Sequence, residues 1–270
     1  MHRIKCKKWI VPCAVLLCAL LFVTNAFHIR RFVRVPANAV HTAMLKLEYK
    51  IMGKGEPVFV PVLMYHSVCE TPLGDPALSV PPAEFEAQMQ ALADAGCTPI
   101  TFEALGDAGK YEKPVLITFD DGYRDNFTGA YPILKKHGFP ATIFLISGDI
   151  GAPNFLNGDD ILAMSDIVSF QSHTARHFRL PDLGRDDIAL ELRQSKEQIE
   201  AITGRPVIAL SYPEGRVDKT VLSIVPGYYR YAVSTKCGLW HSGDDRYRIH
   251  RLAIGRGMDI KRFKKLVILH

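Results

Sequence analysis

The chain has 270 residues, of which 48% are hydrophobic and 23% are charged, the composition of a folded protein rather than of a disordered one. Its net charge of +5 comes from the first 34 positions, which hold seven basic residues and no acidic residue. The remaining positions carry 26 basic and 28 acidic residues, so a nucleic-acid-binding surface is not expected in the folded part.

An apolar segment follows the basic N-terminal residues. Residues 9–27 contain no charged side chain and are just long enough to cross a bilayer. We predict a transmembrane signal anchor there, preceded by a cytoplasmic basic end at residues 1–8. A cleaved signal peptide is the alternative, because residues 37–39 (ANA) have the small-residue spacing of a cleavage site. Three intervening arginines favour the uncleaved anchor, and both interpretations export the rest of the chain.

The exported part alternates between strand-like and helix-like segments. Residues 28–56 are predicted to form a stalk with a short amphipathic stretch at 40–51, and residues 57–270 the folded domain. The predicted strands are residues 58–65, 115–119, 142–146, 167–171 and 207–212, and the predicted helices are residues 83–95, 126–137 and 186–203. Continuous apolar strands that alternate with helices indicate an α/β fold with a parallel sheet, either a barrel or a doubly wound sheet. In both, functional residues gather where the strands end.

Two of these strand ends carry potential metal ligands. Asp120 and Asp121 follow an apolar strand, where two adjacent carboxylates are costly unless a cation shares them. Taken alone, the Asp-Asp-Gly sequence would be better explained as a solvated turn. His173 and His177 follow another strand, and a spacing of four places both rings on one face of a helical turn. Two histidines and a carboxylate form a ligand set with open positions for water and substrate.

Weaker signals occur at other positions. A turn of Pro213, Glu214 and Gly215 follows a third strand and could direct a backbone N–H at a developing oxyanion, although such turns are common. His66 ends the first strand, where it could line the site or serve as a hydrogen-bonded structural residue. Cys69, Cys97 and Cys237 permit at most one disulfide in the exported part.

These motifs resemble those of the polysaccharide deacetylase family, also called carbohydrate esterase family 4 or the NodB homology domain. Residues 118–122 match its TFDDG motif, residues 173–177 match its H-[ST]-x-x-H motif, and residues 212–215 resemble the YPYG turn of one branch. The resemblance covers roughly residues 58–265. It implies a distorted (β/α) barrel with fewer than eight strands. It also implies that Asp120 is the general base, and that Asp121, His173 and His177 bind one divalent ion, commonly zinc.

The sequence also departs from the family pattern. Ser211 stands where many members have an arginine that holds the base, and Glu214 stands where a tyrosine is usual. A late, leucine-flanked histidine that acts as general acid is missing from the sequence, and His250 is the nearby substitute. The resemblance and the predicted anchor together still predict a membrane-anchored, extracytoplasmic deacetylase of N-acetylglucosamine units in peptidoglycan or an exported polysaccharide. The alternatives are a catalytically weak homologue that binds glycan through the metal site, and a deacylase of a lipid-linked sugar or a small amide.

Overall fold

The computed structural model describes residues 37–51, 56–72 and 75–268. The predicted cytoplasmic end (1–8) and anchor (9–27) lie outside the described residues, as does part of the predicted stalk. Within the described part, no helix is both long enough and apolar enough to span a membrane. The chain divides into two units at Pro57. In the first unit the structure describes one helix, α1 (Ala37–Ile51), which contains the predicted amphipathic stretch.

The second unit is built on parallel strands that close into a barrel. Its seven barrel strands are β2 (Val62–Tyr65), β6 (Pro114–Phe119), β7 (Ala141–Leu145), β8 (Val168–Ser172), β9 (Ala209–Ser211), β10 (Tyr231–Cys237) and β12 (Ile249–Ala253). They pair in the order β2-β12-β10-β9-β8-β7-β6, and β6 pairs again with β2. This closure confirms the α/β barrel and excludes the doubly wound sheet.

Five short strands accompany the barrel: β1 (Phe59–Val60), β3 (Ser67–Val68), β4 (Ser79–Val80), β5 (Thr98–Ile100) and β11 (Trp240–His241). β1 and β11 form an antiparallel ribbon, and β3 pairs with β4. β5 pairs with the first half of β6, and β7 pairs with the second half. One edge of β6 is therefore shared between β5 and β7, while its other edge pairs with β2. This shared edge is one of the irregularities that distort the barrel.

Helices connect the strands, as the sequence pattern predicts. They are α2 (Pro82–Asp94), α3 (Phe102–Leu105), α4 (Tyr131–His137), α5 (Gly158–Met164), α6 (Arg185–Thr203), α7 (Lys219–Ile224) and α8 (Ile260–Val267). The predicted helix at 126–137 is α4 preceded by one π-helical turn, Asn126–Ala130. Gly138 and Gly204 end α4 and α6 with φ of 66° and 64°, a left-handed conformation that suits glycine.

Two predicted strands are shorter than their apolar runs, for identifiable reasons. The run at 58–65 is interrupted at Pro61, which has no N–H to donate, so β1 pairs with β11 while β2 enters the barrel. At the start of β9, the side-chain oxygen of Gln171 accepts hydrogen bonds from the amides of Ile208 and Ala209, at 2.7 and 2.8 Å. β8 and β9 accordingly pair only at Ser172 and Leu210.

Candidate active site

The alternation of side chains along the strands decides which residues reach the mouth of the barrel. Leu116, Ala209 and Ile249 belong to the apolar cluster that fills the barrel interior. The same inward faces, continued to the C-terminal ends of β6, β9 and β12, present Asp120, Ser211 and Arg251. All three side chains are buried, with at most 2% of their surface exposed. A polar layer therefore closes the apolar interior at the end of the barrel where the strands finish.

Asp120 and Arg251 form a two-pronged ion pair in this layer. The guanidinium donates from Nη1 to Oδ1 at 2.8 Å and from Nη2 to Oδ2 at 2.6 Å. Its Nε donates to the carbonyl of Ser234, and Nη2 also donates to the hydroxyl of Ser211 at 3.0 Å. That hydroxyl donates in turn to Asp120 at 3.2 Å. The carboxylate is thus fixed in place and satisfied by charged donors, which a buried carboxylate requires.

The electrostatics keep Asp120 ionised. Burial alone would raise its pKa, but the charge and hydrogen bonds of Arg251, with the charge of His173, outweigh burial and hold the pKa of Asp120 well below its usual range. A carboxylate with these partners is available as a proton acceptor at neutral pH. It lies beside Asp121, the next residue in the chain, which belongs to a second cluster.

Asp121, His173 and His177 form this second cluster, and their ligand atoms all lie within 4.8 Å of one another. The Nε2 atoms of His173 and His177 are 3.4 and 3.8 Å from Oδ1 of Asp121. The predicted helical turn was wrong. Thr174 and His177 adopt left-handed φ values of 67° and 58°, so an irregular loop brings the two rings together, with centroids 4.7 Å apart. Strained backbone of this kind is often retained at functional sites.

The donor set fits a divalent metal ion. Nδ1 of His173 lies 2.8 Å from the carbonyl of Ser211; donation to that oxygen leaves Nε2 with a lone pair directed toward Asp121. Burial would lower the pKa of His173, yet Asp120 and Asp121 raise it above its ordinary value, so the cluster attracts positive charge. Burial and the charge of His173 lower the pKa of His177, which favours its neutral, ligating form. The pKa of Asp121 is lowered, because contact with His173 outweighs burial.

The predicted oxyanion turn lies beside this cluster. Pro213–Gly215 forms a 3₁₀ turn directly after Ser211 and Tyr212, and Glu214 has a φ of 53°. The amides of Gly215 and Arg216 donate back to Tyr212 and Pro213, at 2.8 and 3.0 Å. The Glu214 amide donates to no backbone acceptor within the described residues. Its side chain turns outward to Arg179, whose Nε donates to Oε2 at 2.7 Å.

The two candidate histidines are in different environments. His66 follows Tyr65, which faces α2, and therefore turns toward the barrel mouth; the charges of Asp120, Asp121 and His173 all act on it. Burial is the main reason that the pKa of His66 is lowered. His250 precedes the inward-facing Arg251 and so turns outward. It packs against the backbone of Gly238, and the charged groups that act on it are Lys236 and Asp244. The structure does not bring His250 to the site.

Arg251 is the residue of this layer to which the sequence assigns no role. The signal was a charged residue inside a short apolar strand, which is expensive without a buried partner. The cysteines in the described part form no disulfide.

A closed parallel barrel with a charged carboxylate beside a candidate metal centre defines the class of protein. The polysaccharide deacetylase family profile matches residues 107–228. YxkH of Bacillus subtilis strain 168, assigned to the polysaccharide deacetylases, is 36% identical over 210 residues, which are 75% of this chain and 74% of that protein. The structure of BC0361, a polysaccharide deacetylase from Bacillus cereus, is similar with a TM-score of 0.75 and 38% identity, covering 78% of this chain and 69% of that one.

A more distant relative has a named substrate. The poly-beta-1,6-N-acetyl-D-glucosamine N-deacetylase of Staphylococcus epidermidis is 26% identical over 196 residues, which are 65% of this chain and 68% of that protein. The chain belongs to the polysaccharide deacetylase family, a family of hydrolases that act on amide bonds.

Proposed function

We propose that this protein is a metal-dependent deacetylase that hydrolyses the N-acetyl group of N-acetylglucosamine units in peptidoglycan or an exported polysaccharide. The observation that carries the proposal is the position of an ionised carboxylate beside a candidate metal centre. Arg251 keeps Asp120 ionised, and the next residue, Asp121, belongs to the Asp121–His173–His177 cluster. The named activity of the staphylococcal relative supports an N-acetylglucosamine polymer as the substrate class.

The metal ion and the side chains of the site have different roles in the proposed reaction. Asp121, His173 and His177 would hold the ion, most simply zinc, which when bound polarises a carbonyl and lowers the pKa of its water. Asp120 is the general base that accepts the proton of the attacking water, and Arg251 keeps it oriented and charged. The backbone N–H of Glu214 is the donor for the developing oxyanion, because its neighbours in the turn are already engaged.

Expulsion of the amine requires a proton donor, and we assign this role to His66. It directly follows β2, outside the ligand set, and the charges of Asp120 and Asp121 act on it. His250, the substitute that the sequence suggests, faces the opposite side of β12. Protonated His66 would give its proton to the departing nitrogen, so base and acid would be separate residues.

The weakly active, glycan-binding alternative rests on two departures from the family pattern. The first is Ser211 in place of an arginine, and the second is the missing late histidine. Arg251 pairs a guanidinium with Asp120 from another strand, and the charges of the site carboxylates act on the imidazole of His66. Both observations favour an active enzyme over a binding protein.

We further propose that the protein is held at the outer face of the membrane by the apolar segment at residues 9–27. This segment lacks charges and is just long enough to cross a bilayer, and three arginines separate it from the cleavage-like residues 37–39. A catalytic unit tethered there would act on glycan close to the membrane.

The test is acetate release from N-acetylglucosamine oligomers and from the organism's own envelope fractions, with wild type and Asp120→Asn. The variant keeps the shape of the side chain but cannot accept a proton. We expect it to retain its metal while turnover falls by about two to four orders of magnitude. An unchanged rate in a variant that keeps its metal would exclude Asp120 as the base. Glycan binding without acetate release by the wild type would favour the binding protein.

A further inference from the structure

A buried carboxylate on α6 accepts hydrogen bonds from the loop that carries the two histidines, residues 173–177. Glu191 is completely buried. Its Oε2 accepts hydrogen bonds from the amides of Ala175 and Arg176, at 3.0 and 2.9 Å. Its Oε1 accepts from Nε of Arg176 at 2.6 Å, while the Arg176 side chain is half exposed. One side chain therefore fixes the two backbone amides midway between His173 and His177.

Other polar residues of α6 hold the same region from the same side. The hydroxyl of Ser195, one turn after Glu191, is 2.7 Å from the hydroxyl of Ser172, which accepts a hydrogen bond from the amide of Thr174. Gln198 accepts a hydrogen bond from Ser147. These three residues recur at helical spacing, so α6 presents a polar stripe to the loop within an otherwise apolar contact.

Two carbonyls of the loop are held by backbone amides. The amides of Ser147 and Gly148 donate to the carbonyls of Thr174 and Ala175, at 3.1 and 2.9 Å. A Cβ atom on Gly148 would lie 2.6 Å from the Ala175 carbonyl, so this approach requires glycine. The loop is therefore fixed at both its amides and its carbonyls.

We infer that Glu191 is a positioning residue that sets the metal affinity of the site by holding the loop in its ligating conformation. The loop contains two residues with left-handed φ, Thr174 and His177, which cost free energy unless neighbouring contacts impose them. Without the carboxylate the loop can relax, and His177 then leaves the geometry in which it meets Asp121. This inference rests on the proposed role of His173 and His177 as metal ligands.

The substitution that tests it is Glu191→Gln. A glutamine side chain has only one acceptor oxygen. Its amide nitrogen is a donor and would face either the backbone N–H groups or Nε of Arg176, which are donors as well, so hydrogen bonds to the loop would be lost. Arg176→Gln removes one of the three contacts without touching the buried carboxylate. Glu197→Gln, an exposed acidic residue on the same helix, is the matched control.

Two measurements on the metal-free, full-length protein separate positioning from general destabilisation. The first is zinc affinity, by competition with a chromophoric chelator. We expect a loss of about 10- to 100-fold in Glu191→Gln, a smaller loss of about threefold in Arg176→Gln, and none in Glu197→Gln. The second is hydrogen exchange, in which the amides of Ala175 and Arg176 should exchange faster in Glu191→Gln while those of β6 keep their wild-type rates.

Zinc affinity in Glu191→Gln equal to that of the control would overturn the inference. So would faster exchange throughout the barrel with unchanged affinity, because that pattern describes a structural residue. If Glu191→Gln does not fold, an unchanged affinity in Arg176→Gln overturns it as well. A wild type that binds no zinc overturns the metal assignment and this inference together, and is recognised because the wild type itself fails.

Discussion

Removal of the Arg251 guanidinium tests how the site keeps its base. In Arg251→Met the carboxylate of Asp120 loses two charged hydrogen bonds, at 2.8 and 2.6 Å, and retains the hydroxyl of Ser211 at 3.2 Å. A buried hydrogen bond to a charged group contributes about 1.5–3 kcal/mol. Removal of one partner of a buried ion pair costs about 3–5 kcal/mol. We therefore expect the free energy of unfolding at pH 7 to fall by about 3–5 kcal/mol.

The pH dependence distinguishes this mechanism from a packing defect. In the wild type the folded-state pKa of Asp120 lies below its unfolded value, so the stabilisation is complete above the unfolded pKa and is lost as pH falls through the folded one. Without Arg251, burial dominates and raises the pKa of Asp120. Acidification then protonates Asp120 in the folded variant and removes the unfavourable buried charge. The stability gap between the two proteins should narrow from pH 7 to pH 5, and the acid limb of the rate profile should move to higher pH.

The assay is urea unfolding at both pH values, with acetate release measured in parallel. Arg248→Met is the matched control, because Arg248 is exposed and its ion pair with exposed Asp245 spans 3.8 Å; we expect a change within about 1 kcal/mol. In the double variant Asp120→Asn/Arg251→Met both charges are absent, and it should be more stable than Arg251→Met alone. A loss in Arg251→Met no larger than in the control, or a loss that does not depend on pH, would refute the reasoning.

The metal, the acid and the anchor each give a further prediction. His177→Ala should lose most of its bound divalent metal by elemental analysis, because two ligands hold an ion poorly; unchanged metal content would contradict the assignment. In His66→Ala the rate of amide hydrolysis should fall by about a hundredfold or more. Hydrolysis of an aryl acetate, whose leaving group needs no proton, should be far less impaired. His250→Ala should match the wild type, and a selective loss there would reverse the two roles. The native protein should stay full length in the membrane fraction, and a mature N-terminus at Val40 would disprove the anchor.

Local sequence was sufficient to predict a parallel α/β fold with candidate metal ligands at two strand ends, and the resemblance to the family then selected the barrel. Strand periodicity, helix-ending glycines and two motifs at strand ends require no knowledge of distant contacts. The geometry of the histidine loop could not be predicted in this way. A spacing of four suggests a helical turn, whereas the actual loop donates hydrogen bonds to Glu191. That residue is 14 positions from His177 and lies on an amphipathic helix, where an acidic residue is typically solvent-exposed.

Arg251 was missed for a related reason. It contacts Asp120 across 131 positions of sequence, and the contact exists because β12 and β6 both adjoin β2 in the closed barrel. The alternation of β12 also explains why the neighbouring His250 was an unsuitable candidate. A one-residue difference along a strand moves a side chain to the other face of the sheet.

The position of Arg251 bears on how a missing motif residue should be interpreted. Ser211 ends β9 and Arg251 lies within β12, the two strands that flank β10, and their side chains meet, with Nη2 3.0 Å from the serine hydroxyl. What the base requires is a cation within this buried layer, and every inward-facing strand end opens on the same layer. A guanidinium supplied by β12 therefore satisfies Asp120 as fully as one supplied by β9, and a small residue at position 211 then leaves room for it. The absence of an arginine from the third motif consequently indicates a lost function only where no other strand end supplies the charge.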